Sequence, residues 1–486
     1  MRPLERINDF VVKFANVNGS GSASANSLFA KAVLRMGVPV AARNIFPSNI
    51  QGMPTWYEVR VVEQGWRGRR GGVDLAVAMN PETWNADVAE LEPGGYLLYD
   101  STRPLTAGRM REDVVLLGVP LTGLCHDMFS DPRQRQLFKN VMYVGALAAL
   151  LHIEPEVVEA LLASQYAGER KAPLLDANRA AFRAGYDHVA ANLPAIGLRM
   201  ERRDRVGDRI FVDGNSAAGL GAVYGGATVC AWYPITPSTS LAEAFKRYCT
   251  KLRVDPDTGR HRFAIVQAED ELASIGMVVG AGWNGARAFT ATSGPGISLM
   301  QEFIGLAYFA EIPAVLFDVQ RGSPSTGMPT KTQQADVLCA AYASHGDTKH
   351  VLLFPEDPTE CFSMGAQAFD LADRLQTPVF VMLDLDIGMQ DWLTGPFKWD
   401  DQRALDRGKV MSAEELEAGR DFGRYLDVDG DGIPYRTLPG VSPKGAFFTR
   451  GSGHAKTGAY TEDAHEYQEV VDRLGRKFET AKALVP

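Results

Sequence analysis

Short apolar runs alternate with longer amphipathic stretches along most of the chain. Runs such as residues 10–15, 74–79 and 95–100 have the length and composition of buried β-strands. Longer stretches, such as residues 25–36 and 139–151, have the spacing of helices. Alternation of this kind predicts an α/β fold built on mostly parallel sheets. We therefore expect a first doubly wound domain over residues 1–192.

A second unit with the same alternation follows a segment dense in charge. Residues 193–209 include many arginines and are predicted to form a surface linker. Residues 210–390 are predicted to form a second doubly wound domain with mostly parallel strands. Beyond residue 391 the composition becomes charged and irregular, apart from a helix predicted near 413–421 and a terminal helix predicted over 462–484. Residues 391–486 are therefore predicted to form an irregular extension.

Polar loops follow four successive predicted strands of the second domain. They lie around Thr236, Glu271, Ser293 and Arg321. Because the carboxyl ends of parallel strands meet at one edge of a sheet, we expect these loops to converge. Convergence of four loops indicates a site more strongly than any single loop does.

The first of these loops is a proline-rich turn, Tyr233-Pro234-Ile235-Thr236-Pro237-Ser238-Thr239. Each proline fixes its own φ angle and restricts the residue before it to extended conformations. The turn is therefore stiff, and it holds the Thr236 hydroxyl just beyond a strand. Ser238 and Thr239 are predicted to cap a helix that begins near Leu241. A strand-to-helix turn without a ligand is the alternative interpretation of this loop on its own.

Three adjacent acids, Glu269, Asp270 and Glu271, stand at the start of a predicted helix. Acids at this position also complement the positive end of the helix dipole, so their presence has a structural explanation. An acid that takes part in chemistry would be the one directed back into the cleft above the strand. The sequence leaves open which of the three it is.

Two other loops resemble ligand-binding motifs only in part. Gly19 and Gly21 lie in a turn suited to an anion at a helix start, but no third glycine completes a dinucleotide fingerprint. A plain nucleotide-binding protein built on this loop would leave the convergent loops of the second domain unexplained. Residues 427–433 match the first half of a calcium loop, but Leu438 stands where a bidentate acid is required. We interpret that segment as a solvated turn.

The composition limits the classes of partner. The chain has 486 residues, 45% of them hydrophobic, and a net charge of −9, which argues against a nucleic-acid partner. No apolar run reaches the length of a membrane span, and the N-terminus lacks the apolar core of a signal peptide, so we expect a cytoplasmic protein. The five cysteines are too widely spaced for a disulfide framework or a metal site. An iron–sulfur cluster would have to come from another chain.

Five motifs of the second domain stand in a specific order. They are Gly214-Asn215-Ser216-Ala217, the turn 233–239, Glu269-Asp270-Glu271, Thr292-Ser293-Gly294-Pro295-Gly296 and residues 327–336. Taken together, these motifs resemble the alpha subunit of the 2-oxoacid:ferredoxin oxidoreductases. The N-terminal domain resembles the γ domain of that family, fused in front of the alpha domain. Fusion of this kind is typical of the two-subunit enzymes, among which 2-oxoglutarate is a frequent substrate.

The resemblance implies a thiamine diphosphate site shared with a β subunit. That partner would hold the diphosphate, Mg²⁺ and a [4Fe-4S] cluster, and this chain would supply the aminopyrimidine half. The family's catalytic glutamate falls on Glu271, with Glu269 as the next candidate. A guanidinium fork suits a substrate carboxylate, as the resemblance implies for Arg321. By the same resemblance, the cofactor contacts are Glu271, Ile235, Thr236, Ser293 and Gly294. The substrate contacts are Thr236 and Arg321. Lys331 is a candidate to bind a second negative group of the substrate, and the alternative is a solvated surface lysine.

The reaction implied is the conversion of 2-oxoglutarate, CoA and oxidised ferredoxin to succinyl-CoA, CO₂ and reduced ferredoxin, or the reverse. The assembly implied is a dimer of heterodimers. Pyruvate or a branched-chain 2-oxoacid is the alternative substrate, and a non-catalytic partner subunit that kept the fold is the alternative role. Members with this architecture usually continue into another α/β domain, whereas this sequence ends at Pro486.

Overall fold

The fold is taken from a computed structural model that describes residues 2–46, 51–66, 68, 70–105, 111–419 and 422–486. The strands are, in chain order, β1 (Arg6–Ile7), β2 (Asp9–Val17), β3 (Val40–Ile45), β4 (Pro54–Val62), β5 (Val73–Ala78), β6 (Leu91–Asp100), β7 (Val115–Val119), β8 (Leu198–Arg199), β9 (Ile210–Asp213), β10 (Val229–Trp232), β11 (Ala264–Gln267), β12 (Ala288–Thr292), β13 (Ala314–Gln320), β14 (Val351–Leu353), β15 (Pro378–Asp384) and β16 (Asp391–Thr394).

The helices account for most of the remaining regular structure. They are α1 (Ser22–Arg35), α2 (Trp84–Ala89), α3 (Leu121–Met128), α4 (Pro132–Leu150), α5 (Pro155–Gln165), α6 (Ala172–Asn192), α7 (Gly214–Tyr224), α8 (Thr239–Leu252), α9 (Glu271–Trp283), α10 (Gly294–Leu299), α11 (Gln301–Phe309), α12 (Val337–Ala341), α13 (Pro358–Leu375), α14 (Leu385–Met389), α15 (Ala413–Glu417) and α16 (Ala464–Ala481). No helix in the described part of the chain is long and apolar enough to cross a membrane.

The first compact unit comprises the residues up to Phe211 together with Gln390–Gly395. Its sheet has the order β7-β6-β5-β2-β4-β3-β16, and β9 continues it at the edge and leads into the second unit. The pairs from β7 to β2 are parallel, whereas those among β2, β4, β3 and β16 are antiparallel. The α/β fold predicted for this region is confirmed, but only one half of this sheet is parallel.

Two helices of the first unit approach each other through glycines. A Cβ atom at Gly145 in α4 would lie 2.0 Å from the carbonyl oxygen of Phe182 in α6. A Cβ atom at Gly185 in α6 would lie 2.0 Å from the carbonyl oxygen of Met142 in α4. Glycine at both positions therefore lets the two backbones touch, and these helices cover one face of the sheet with buried side chains.

The segment 193–209, expected to be a surface linker, is packed within the first unit. Strand β8 pairs in parallel with β1. The Arg202 Nε donates to Glu154 Oε1 at 2.8 Å, and the Arg203 Nε donates to Glu63 Oε1 at 2.9 Å. The positive charges that suggested a solvated linker are thus paired with acids of the same unit.

The second compact unit comprises residues 212–389 and 396–486. Its sheet has the order β11-β10-β12-β13-β15-β14, and all of its pairs are parallel. Apolar side chains of α7, α8 and α13 pack on one face, and those of α9, α10 and α11 pack on the other. The doubly wound arrangement predicted for this unit is confirmed.

Beyond residue 395 the described chain is mostly irregular, as predicted, and its terminal helix α16 lies within the predicted range 462–484. Strand β16 pairs with β3 in the first sheet, and residues 396–486 belong to the second unit. Within that unit, the Lys477 ammonium of α16 contacts Glu311 at 3.0 Å. The helix predicted near 413–421 is the short α15, and residues 420 and 421 lie outside the described residues.

Candidate active site at the carboxyl edge of the second sheet

The four polar loops do converge. They follow β10, β11, β12 and β13, which are neighbours in the order β11-β10-β12-β13. The chain leaves β10 toward β11 on one side and returns to β12 on the other. This reversal creates a crevice at the carboxyl ends of the strands, where ligands bind in open α/β sheets.

The turn 233–239 is held by an asparagine from the start of α7. The Asn215 Nδ2 donates to the carbonyl oxygen of Pro237 at 2.9 Å and to the Ser240 hydroxyl at 2.8 Å. Asn215 is fully buried, and its Oδ1 has no hydrogen-bond partner among the described residues. The stiffness predicted for this turn from its prolines therefore has a second source in Asn215.

The predicted capping role of Ser238 and Thr239 is wrong. The Ser238 and Thr239 hydroxyls donate to the carbonyl oxygen of Ile235, at 3.0 and 3.2 Å. Ser238 already has helical backbone angles, whereas a capping residue needs extended ones to turn its side chain toward the helix amides. The two hydroxyls instead tighten the turn around the half-buried Ile235.

Among the three acids after β11, Glu271 is the buried one. Its side chain is only 7% exposed, whereas Glu269 and Asp270 are exposed. Asp270 caps α9 by accepting a hydrogen bond from the Ala273 amide at 2.7 Å. The cap turns the next residue, Glu271, inward, where its Cγ would lie 2.9 Å from a Cβ atom at Gly296.

The turn 293–296 lies beside that glutamate. Ser293 is fully buried, and its Oγ has no hydrogen-bond partner among the described residues. A Cβ atom at Gly294 would come within 2.3 Å of Asp336 Oδ1, and one at Gly296 within 2.0 Å of the Thr292 hydroxyl. Only glycine fits at these two positions, so this turn packs tightly against acidic and hydroxyl groups.

Arg321, at the end of β13, is fixed by two carbonyl groups. Its Nη1 donates to Thr236 O at 2.7 Å and its Nη2 to Thr326 O at 3.1 Å, while its buried Nε has no partner among the described residues. Burial lowers the pKa of Arg321, and the charges of Asp336 and Glu271 oppose that effect. The structure thus brings Arg321 together with Thr236 and within electrostatic range of Glu271.

Lys331 is not part of this cluster. The loop that carries it is closed by the Gly322 amide, which donates to the carbonyl oxygen of Lys331 at 2.8 Å. The Lys331 side chain is exposed. Its exposure favours the alternative of a solvated surface lysine.

Sequence reasoning gave no role to Asp318, a buried acid near the site. Asp318 lies in β13 and is fully buried, with neither carboxyl oxygen hydrogen-bonded among the described residues. Burial raises the pKa of Asp318 well above its usual range, and the charge of Asp336 adds to the rise. An acid inside the apolar run of a predicted central strand was the available signal for Asp318.

Two features elsewhere in the second unit do not belong to the site. A cavity of about 650 Å³ is lined by α11, residues 344–348 and α16. Because α11 and that loop lead into strands, the cavity lies toward the amino ends of the sheet. In the partial calcium motif, Asp429 and Asp431 both contact the Lys409 ammonium, at 2.7 and 2.8 Å.

Comparison with known proteins places the candidate site within a matched domain. Residues 220–395 match the family model described as pyruvate flavodoxin/ferredoxin oxidoreductase, thiamine diphosphate-binding, and residues 11–188 match pyruvate ferredoxin/flavodoxin oxidoreductase. The 2-oxoacid:ferredoxin oxidoreductase 2, subunit alpha, of Aeropyrum pernix is 30% identical over an alignment that covers 96% of this chain and 78% of the relative. The chain belongs to the pyruvate ferredoxin/flavodoxin oxidoreductase family. The resemblance drawn from the motifs is thereby confirmed.

A further relative and a solved structure have names that specify 2-oxoglutarate. The 2-oxoglutarate oxidoreductase subunit KorA of Mycobacterium tuberculosis is 30% identical, over 80% of this chain and 62% of its own. A solved structure, 2-oxoglutarate:ferredoxin oxidoreductase from Magnetococcus marinus with 2-oxoglutarate, coenzyme A and succinyl-CoA bound, superposes with a TM-score of 0.84. The two sequences are 29% identical, and the match covers 99% of this chain and 80% of that one.

Proposed function

We propose that this chain is the alpha subunit of a thiamine diphosphate-dependent 2-oxoglutarate:ferredoxin oxidoreductase. It would convert 2-oxoglutarate, CoA and oxidised ferredoxin to succinyl-CoA, CO₂ and reduced ferredoxin, or run the reverse reaction. The observation that carries the proposal is the buried Glu271 between the turn 293–296 and Arg321, inside the region that matches the thiamine diphosphate-binding model. The ligands named for the Magnetococcus marinus structure support 2-oxoglutarate and CoA as the substrates.

The residues present fit the aminopyrimidine half of thiamine diphosphate. Glu271 offers a buried carboxyl group, and Ser293 offers a buried hydroxyl without a protein partner among the described residues. We assign Ile235, Thr236 and Gly294 to the same half of the cofactor. Thiamine diphosphate supplies the carbon nucleophile for 2-oxoacid decarboxylation when it is bound. Glu271 would hold and move the proton at the pyrimidine ring nitrogen, which is general acid–base work for a water-shielded acid.

Arg321 and Thr236 are the groups we assign to the 2-oxoacid. Nη1 donates to Thr236 O and Nη2 to Thr326 O, so the buried Nε is the guanidinium nitrogen without a partner among the described residues. We assign the guanidinium charge to a carboxylate of the substrate, to which a charge-assisted hydrogen bond would bind it. We leave the distal carboxylate of 2-oxoglutarate without an assigned partner in this chain, because Lys331 is exposed.

The remaining components of the enzyme would come from a partner chain. Relatives of this chain are named alpha subunits, which supports the presence of at least one further subunit. We propose a β subunit that holds Mg²⁺, the diphosphate and a [4Fe-4S] cluster. Ferredoxin would accept the electrons, and the assembly would be a dimer of heterodimers. We propose the first unit as the γ-type domain and the second as the pyrimidine-binding domain, with the matches over 11–188 and 220–395 in support.

The experiment is a substrate panel on the assembled enzyme. This chain is co-expressed with a β subunit, and the complex is purified without oxygen. 2-Oxoglutarate, pyruvate and 2-oxoisovalerate are then added in turn with CoA and a low-potential electron acceptor. We expect reduction with 2-oxoglutarate at the highest kcat/KM. If the acceptor is reduced faster with one of the other acids, that acid is the preferred substrate instead of 2-oxoglutarate. If a complex that contains cofactor and cluster reduces the acceptor with none of them, a non-catalytic subunit is favoured.

A further inference from the structure

Asp336 contacts two loops of the proposed site. One is the turn 293–296, which we assign to the cofactor, and the other is the loop after β13, which begins with the proposed substrate contact Arg321. Asp336 is buried at the start of α12, and its carboxylate packs against the backbone of Gly294. Its Oδ1 packs so closely on Gly294 that a Cβ atom there would lie 2.3 Å away. The Ser323 hydroxyl, two residues beyond Arg321, lies 3.5 Å from the same oxygen. One carboxylate therefore touches the loops after both β12 and β13.

The backbone of Asp336 is anchored to the sheet. Its amide donates to Gln320 Oε1 at 3.1 Å, and Gln320 Nε2 donates to the carbonyl oxygen of Leu383 in β15 at 3.1 Å. Gln320 is fully buried within β13. Because Gln320 and Leu383 lie in central strands, this chain of hydrogen bonds fixes the position of Asp336 beside Gly294.

The charge of Asp336 also reaches Arg321. Among the charges that act on the Arg321 guanidinium, Asp336 is first and Glu271 second. Burial raises the pKa of the neighbouring Asp318 well above the usual range, and the charge of Asp336 adds to the rise. Burial also raises the pKa of Asp336 itself, while the Ser323 hydroxyl and the Arg321 guanidinium oppose that rise. When it is ionised, Asp336 carries a negative charge beside the group that we assign to the substrate carboxylate, and a like charge weakens the binding of that carboxylate.

We propose that Asp336 is a positioning residue that ties the Gly294 turn to the Arg321 loop and sets the affinity of Arg321 for the anionic substrate. The inference rests on the proposed function, since it takes the Gly294 turn as a cofactor contact and Arg321 as a substrate contact. Asp336 contacts neither ligand itself. It acts through a packing contact with Gly294 on one side and through its charge on the other.

Two variants at this position separate the packing contact from the charge. Asp336→Asn keeps the size and shape of the side chain that packs against Gly294, and its amide nitrogen takes the place of Oδ2, which has no partner among the described residues. Asp336→Ala removes both the packing contact and the charge. The control is Asp357→Ala, which removes a capping aspartate at the start of α13, where it accepts from the Thr359 and Glu360 amides.

The first readout is the Kd for thiamine diphosphate with Mg²⁺, followed by fluorescence quenching of the assembled, cofactor-depleted complex. We expect Asp336→Ala to raise that Kd at least ~10-fold, and Asp336→Asn and Asp357→Ala to change it less than ~2-fold. The second readout is steady-state kinetics, in which Asp336→Asn should lower the KM for the 2-oxoacid ~3-fold or more with less change in kcat. A helix cap with no further role would move neither quantity.

Three results would overturn the inference. An unchanged cofactor Kd in Asp336→Ala, or equal losses in the alanine and asparagine variants, would show that the Asp336 side chain does not hold the Gly294 turn. An unchanged or raised KM in Asp336→Asn would remove the influence on Arg321, and it is measurable even where the alanine variant fails to assemble. If the unaltered complex does not bind thiamine diphosphate, the proposed function is wrong as well. The first two results, in contrast, contradict only the role of Asp336.

Discussion

At the scale of single residues, burial separates groups that the sequence presents as equals. Glu269 and Glu271 are two residues apart and have the same chemistry, yet only Glu271 is buried. Arg321 and Lys331 are both cations after β13, yet only Arg321 is enclosed and hydrogen-bonded to the neighbouring loop. The shielded member of each pair is the one whose charge acts strongly on a ligand, because water screens the other.

Replacement of Arg321 by lysine tests its assignment. Arg321→Lys keeps the charge but loses the planar fork and the hydrogen bond to Thr236 O. Because a charge-assisted hydrogen bond contributes about 1.5–3 kcal/mol, we expect the KM for the 2-oxoacid to rise ~10-fold or more. Lys331→Ala is the matched control and should leave KM nearly unchanged. An unaltered KM in Arg321→Lys would exclude this arginine from the substrate site.

For the polar residues of the second unit, the sequence predicted the positions of the loops but not the orientation of the side chains. The positions of Thr236, Glu271, Ser293 and Arg321 after neighbouring parallel strands followed from the pattern alone, because strand ends fix where loops meet. The inward turn of Glu271 did not, since it depends on the Asp270 cap. The roles of Ser238 and Thr239 also depended on backbone angles that the sequence leaves open.

At the scale of elements, apolar segments were easier to predict than polar ones. The largely apolar β2 and β5 were predicted at residues 10–15 and 74–79, close to their observed bounds of Asp9–Val17 and Val73–Ala78. Strand β3 was missed, because its sequence Val-Ala-Ala-Arg-Asn-Ile has weak β propensity. The strand is stabilised by its pairing with β4, which the local sequence does not reveal. Helix α4 begins seven residues before the predicted start, because its first turns are polar and only the Asp131-Pro132 pair marks them.

The contact between α4 and α6 gives a prediction at this scale. Gly145→Ala would place a methyl group 2.0 Å from the carbonyl oxygen of Phe182, so the helices would have to separate. We expect the free energy of unfolding to fall by about 1–3 kcal/mol. Gly123→Ala in α3 is the matched control, because its nearest neighbour lies 3.7 Å away and helix propensity favours alanine. Denaturant unfolding checks both, and equal stability of the two variants would contradict the close approach.

At the scale of the whole chain, the C-terminal residues are held to the second unit by a buried charge cluster. Glu311 accepts hydrogen bonds from Arg473 and from Lys477 of α16, and Arg424 Nη2 donates to the Glu311 carbonyl oxygen at 2.6 Å. Burial alone would raise the pKa of Glu311, but the charges of Arg473 and Lys477 outweigh it and lower the pKa to about 2. Sequence reasoning did not find this cluster, because Glu311 lies more than a hundred positions from each of its three cationic partners.

The low pKa of Glu311 predicts a loss of stability in acid. Because the folded pKa lies below the ordinary 4.5, the stabilisation is present above pH 4.5 and is lost as the pH falls toward 2. The loss from this group is on the order of 3 kcal/mol. Glu311→Gln should lower the thermal midpoint at pH 7, because it leaves two buried cations unpaired, and should flatten the decline between pH 5 and pH 3. Glu466→Gln, at an exposed position in α16, is the control; an equal decline in both variants would contradict the account.

The measurement that most directly tests the central claim compares Glu271→Gln with Glu269→Gln in the complex assembled with a β subunit. Both variants remove one carboxylate from the same loop, and only Glu271 is buried against the turn 293–296. Reduction of ferredoxin with 2-oxoglutarate and CoA is followed without oxygen. We predict a rate at least ~100-fold below that of the unaltered complex for Glu271→Gln, and within ~2-fold of it for Glu269→Gln. A Glu271→Gln complex that contains cofactor and keeps most of its rate would contradict the assignment of this site.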